Sequence, residues 1–155
     1  MTKAIKYTAT YNGVVVGTRK SPRPYQFAVV VQSDEAAARA YAYDYKPTDT
    51  DHKNFVYHSN NAQCQPGDTY PERNYKFTVD AMMIAEGKRM IAGGWEGYVA
   101  ICRARAIENF EAHKANGGFE PGVYGWSMSR RNVEKMAAQA GSRVLAIVPA
   151  IPLIK

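Results

Sequence analysis

Arg19, Lys20 and Arg23 fall within five residues of one another, and no acid precedes Asp34. Lys6 joins them if the chain before Arg19 folds back as a hairpin. Guanidinium groups grip phosphate or carboxylate through paired hydrogen bonds, and a neighbouring ring, Tyr25, can stack on a base. These five residues read as an anion site; the plain alternative is a solvated hairpin end that keeps the chain soluble. A second cluster lies in GWSMSRRNVEKMAAQAG, residues 125–141. Ser129 caps a helix there whose first two residues are Arg130 and Arg131. Cations at that end oppose the helix dipole by roughly 0.3–1 kcal/mol each when exposed. The free N–H groups of a helix N-terminus are also where anions bind. Trp126 and the hydroxyls of Ser127 and Ser129 would complete a phosphate or nucleic-acid contact. The alternative is that both arginines pair with acids from residues 47–74.

Other reactive residue types are present without the spacing that chemistry needs. His52, His58 and Cys64 are evenly spaced, and no C-x₂₋₄-C or H-x₃₋₅-H pair accompanies them, so no metal site and no cofactor is expected. His113 falls on an apolar helical stripe and reads as a core-edge histidine. Glu108 and Glu111 read as solvated-face charges. No phosphate-binding glycine loop, dinucleotide fingerprint, zinc-protease motif or nucleophile elbow occurs. Catalytic residues are accordingly not assigned.

The elements that must position the two cationic clusters follow from periodicity. Residues 5–11 alternate, with Ile5, Tyr7, Ala9 and Tyr11 on one side and Lys6, Thr8 and Thr10 on the other. Asn12-Gly13 suits a tight type I′ turn, so residues 14–19 return as a second strand. A two-residue loop sets Tyr11 opposite Val14, Tyr7 opposite Thr18 and Lys6 opposite Arg19. Opposed cations repel unless an anion lies between them. Residues 25–32 form a third strand beyond the stiff Ser21-Pro22-Arg23-Pro24 link. A helix capped by Ser33 carries Ala38, Tyr41, Ala42 and Tyr45 on one face and ends at Pro47. Residues 47–74 show no usable periodicity and are expected as a long irregular loop. A short strand at 75–79, helices at 80–92, 98–115 and 130–140, and strands at 123–128 and 143–148 complete the pattern, with an extended tail. The expected fold is α+β: one domain, an antiparallel or mixed sheet opened by the hairpin, and three or four helices mainly on one side.

Charge separates along the chain. Residues 1–33 carry +5 and residues 121–155 carry +4, whereas 34–70 carry −3, out of a total of +6. Folding can merge the two basic ends into one face. Cys64 and Cys102 read as free thiols in a reducing compartment. The N-terminal residues lack the apolar core of a secretory signal, and the apolar run at 144–154 is too short to span a bilayer. A soluble cytoplasmic protein that does not engage membranes is expected.

TRKSPRPYQFAVVV near the N-terminus and WSMSRRNVEKMAAQAG near the C-terminus, in that order, resemble small accessory proteins of tailed bacteriophages. The shared pattern is a T-R-x-S-x-R-x-Y-x-x-A-V-V-V hairpin with a later W-S-x-x-R helix start. The resemblance implies a setting, the host bacterial cytoplasm and action against a host defence system, and no defined activity. The combined expectation is a non-enzymatic protein whose basic face binds an acidic protein surface or a nucleic acid. The alternative is a small enzyme or sequestrant acting on a phosphorylated small molecule or nucleotide.

Overall fold

A computed structural model describes residues 3–69 and 78–154. The chain groups into two compact units: Met1–Glu35 with His113–Lys155, and Ala36–Ala112. The fold is α+β. Among the described residues there are five α-helices and two three-stranded antiparallel sheets, where one sheet and three or four helices were expected.

The first unit holds both sheets. Strands β1 (Ile5–Tyr11) and β2 (Val14–Ser21) meet at Asn12-Gly13, both with positive φ as a type I′ turn requires. Strand β3 (Phe27–Val31) is the middle of the second sheet, between β4 (Gly122–Ser127) and β5 (Val144–Pro149). After Ala150, whose N–H bonds to the Gln26 carbonyl, the chain crosses over. Strand β6 (Ile151–Leu153) then pairs with β1, so the tail expected merely as extended closes the first sheet.

Glycines set how closely these layers approach. A Cβ on Gly17 would lie 2.4 Å from Val123 Cγ2, so only glycine lets β2 reach β4. A Cβ on Gly125 would lie 2.8 Å from the Met136 sulfur. That contact seats helix α5 (Arg130–Ala140) on the opposite face of β4, burying Val133 and Ala140. The core of the unit comprises Tyr7, Ala9, Tyr25, the Ala28–Val30 run and Ala150.

The second unit is helical. Helix α1 (Glu35–Tyr43) begins at its border and buries Ala42; Tyr45 lies beyond the helix end. Helix α2 (Asp49–Ala62) occupies half of the expected loop. Thr48 and Asp51 make a capping box, each side chain accepting the other's backbone N–H, and this nucleates the helix. Helix α3 (Ala81–Ile91), capped by Asp80, buries Ile84, Gly87 and Met90. Helix α4 (Gly94–Ala115) buries Tyr98 and Phe110. The expected strand at 75–79 falls mainly outside the described residues, and Thr78 makes an isolated bridge with Thr69. No helix among the described residues is long and apolar enough to cross a membrane.

Candidate anion-binding site

The hairpin register differs from the expected one by a bulge. Ala9 pairs with Gly17 and Thr10 with Val15, leaving Val16 as the extra residue. The slip moves every pair beyond it by one position on β2. Tyr11 still faces Val14, but Tyr7 faces Arg19 and Lys6 faces Lys20. Two cations remain directly opposed; Lys20 takes the place expected for Arg19.

Arg19 is thereby carried to the inner side of the hairpin, onto an aromatic cluster. Its guanidinium carbon stands 5.2 Å from the Tyr25 ring centre. Tyr25 meets Tyr7 edge-on at 5.6 Å and Trp126 at 6.1 Å. Tyr25 is buried, so it is not free to stack on a base as expected; it supports Arg19 instead. Ser21 Oγ accepts the Arg23 N–H at 3.1 Å, and the Arg23 carbonyl accepts the Tyr25 N–H at 3.0 Å. The proline-flanked link is therefore an ordered turn that presents Arg23 to solvent.

The second cluster abuts the first through consecutive residues of β4. Trp126 pairs with Ala28 and Ser127 with Phe27. Ser127 is buried and its hydroxyl is committed, accepting the Ser129 N–H at 3.1 Å and donating to the Ser129 carbonyl at 3.0 Å. It shapes the corner before α5 and is not an exposed anion contact. Ser129 caps α5, its hydroxyl accepting the Asn132 N–H. Arg130 lies 5.7 Å from the Phe27 ring centre and pairs with Glu134 at 3.2 Å, so its acid comes from its own helix and not from residues 47–74. Arg131 is exposed.

Among the described residues, Lys6, Arg19, Lys20, Arg23 and Arg131 take part in no ion pair. Both basic ends of the sequence belong to the same compact unit. That unit holds eleven Lys and Arg against four Asp and Glu, a net +7. The second unit holds nine against ten, a net −1.

The second unit contains a polar cluster that hydrophobic periodicity misses. Asp51 is buried; its Oδ2 accepts the Tyr45 hydroxyl at 2.5 Å and the Thr48 N–H at 2.8 Å. The Cys102 thiol points at Asp51 Oδ1 from 3.9 Å. Burial acts to raise the Asp51 carboxyl, but the hydrogen bonds from Tyr45 and Thr48 outweigh it and hold the group below the usual value. The bond to Asp51, then burial, pushes the Tyr45 hydroxyl upward. Burial and then the Asp51 charge push the Cys102 thiol up, which makes it a poor nucleophile. Burial lifts Tyr98 to about 12. The pattern T-x-x-D at Thr48–Asp51 was the available signal. His52, stacked on Trp95 at 4.1 Å, and His58 both lie on α2. His113 is exposed and meets Phe119 edge-on at 4.9 Å. Cys64 and Cys102 are free thiols. Among the described residues, no group of three or more His, Cys, Asp or Glu side chains is placed to hold a metal.

Comparison with known protein families, curated proteins and solved structures finds no match to this chain.

Proposed function

We propose that the protein is a non-enzymatic binder that engages an anionic macromolecular surface through its first unit. The resemblance to phage accessory proteins suggests a setting, interference with a host defence component in the bacterial cytoplasm. One observation carries the reading: two basic segments more than 85 residues apart in the sequence belong to one compact unit of net +7, while the rest of the chain is close to neutral. Contacts link them, from Arg19 through Tyr25 to Trp126, and along β4 to the Ser129 cap that presents Arg131. Unpaired cations held on a rigid scaffold attract anionic partners over distances of about a Debye length, roughly 8–10 Å at moderate salt.

The test is affinity for partner material from bacterial lysate, captured with and without nuclease, then measured at two salt concentrations. Binding should weaken steeply with salt, and Arg131→Glu should weaken it further while circular dichroism stays unchanged. Salt-independent binding, or an Arg131→Glu variant that binds like the parent, overturns the proposal.

A further inference from the structure

The basic unit has one sheet face that its own helix does not cover. Within this unit helix α5 packs on β3, β4 and β5, and among the described residues Lys6, Thr18, Lys20, Ile151 and Leu153 of the β2–β1–β6 sheet are exposed. Tyr7 and Ala9 point inward, so Lys6 and Thr8 point outward. Cross-strand partners share a face, which places two rows there. Lys20, Lys6 and Leu153 form one row; Thr18, Thr8 and Ile151 form the next. Leu153 is 50% exposed and Ile151 48%.

Resting on the reading of this unit as an anion binder, we propose that this face docks an acidic protein surface whose carboxylates flank an apolar strip. Its charge decides the sign of the partner. Lys6 and Lys20 lie directly opposite one another with no acid in either row, an arrangement that repels until an anion sits over it. Its apolar side decides the class. Leu153 is the other cross-strand neighbour of Lys6, so one occupant meets both. A phosphate backbone would neutralise the lysines and leave Leu153 and Ile151 wet; carboxylates beside leucine or valine satisfy both. A second copy of this face does not fit, because neither row holds an acid and a two-fold contact would therefore leave all four lysines without a counter-charge.

Three probes separate the cases with the full chain: a helical peptide with glutamates flanking a leucine stripe, an oligoglutamate of equal charge, and oligothymidine. Amide chemical shifts locate each probe, and titration gives its affinity. The amphipathic peptide should shift Lys6, Thr8, Thr18, Lys20 and Ile151 and bind more tightly than oligoglutamate. Lys20→Glu should weaken it about tenfold and Leu153→Ser about threefold, whereas Arg131→Glu, which lies off this face but in the same basic unit, should weaken it by less than either. Oligothymidine or oligoglutamate binding this face as tightly as the peptide overturns the assignment of partner class. Peptide shifts confined to the start of α5 overturn this site and leave the basic-unit reading standing. Failure of all three anionic probes to bind overturns both.

Discussion

The Arg19 guanidinium stands over the buried Tyr25 ring, 5.2 Å from its centre, and so is an exposed cation with a structural attachment. Cation–π contacts at such sites are worth about 0.5–1 kcal/mol. Arg19→Ala should lower stability to urea by that amount, and Arg19→Lys by less. Arg19→Glu should cost more than Arg19→Ala, because it sets a carboxylate against the negative face of the ring. If Arg19→Ala and Arg19→Glu unfold at the same urea concentration as the parent, the contact contributes nothing in solution.

Gly17 tests the closeness of β2 and β4. An added Cβ would lie 2.4 Å from Val123 Cγ2 and 3.1 Å from Val123 Cβ. Alanine in place of glycine gains about 0.4–1 kcal/mol through the unfolded chain, whereas forcing a methyl into a filled space costs about 1–3 kcal/mol. The clash should win, and Gly17→Ala should be destabilising. Gly122→Ala, where nothing lies within 4 Å of the new Cβ, should keep that gain and be stabilising by up to about 1 kcal/mol. Val123→Ala should recover part of the Gly17→Ala loss in a double-mutant cycle.

Sequence patterning reached the elements whose buried residues are apolar and missed those whose buried residues are polar. The α3 stripe of Ile84, Gly87 and Met90, and the α5 stripe of Val133 and Ala140, follow helical spacing and were legible. Helix α2 buries Asp51 and Asn61 most deeply, and Phe55 and Ala62 on the same face are only half-buried, so its apolar signal is weak and the capping box is the clearer announcement. The hairpin was legible at its turn, but its register depends on a bulge that Gly17 hints at only as a break in the strand. Of the site, the cationic residues were legible from charge alone. The supporting roles of Tyr25 and Ser127 were not, because burial by β1 and β4 depends on contacts distant in sequence.

Gly87 should behave in the opposite way to a glycine in an open helix. Its missing Cβ leaves room for the α2 backbone, with the His58 carbonyl oxygen 2.6 Å and the Ala62 nitrogen 3.0 Å from where the methyl would sit. Backbone cannot swing aside as a side chain can. Helix propensity favours alanine by about 1 kcal/mol, yet the overlap should leave Gly87→Ala less stable by about 1–2 kcal/mol. Gly97→Ala in α4 meets nothing within 4 Å and should stabilise by up to about 1 kcal/mol. Thermal denaturation of the two variants should move in opposite directions; equal shifts would contradict the close α2–α3 crossing.

The Asp51 cluster should shape stability at both ends of the pH scale. Asp51 is held below its ordinary value of 3.8, so between the two values the unfolded chain binds a proton that the folded chain does not. Its contribution is therefore present above about pH 4 and is lost as pH falls through the lower, folded value. Tyr45 and Tyr98 are displaced upward from 10.0, Tyr98 to about 12. Their contributions are complete below pH 10 and are lost as pH rises through the folded values. Asp51→Asn should cost about 1–2 kcal/mol at neutral pH, by weakening the bonds from Tyr45 and the Thr48 N–H. It should also make the acid decline shallower. Tyr45→Phe should make the alkaline decline shallower instead, and should lessen the depression of Asp51 by removing its largest favourable hydrogen bond. Urea unfolding of the three proteins at intervals across the pH range measures both slopes. An Asp51→Asn protein whose stability falls below pH 4 as steeply as the parent's would show that other carboxylates govern acid unfolding and that Asp51 is not held in its charged form by the fold.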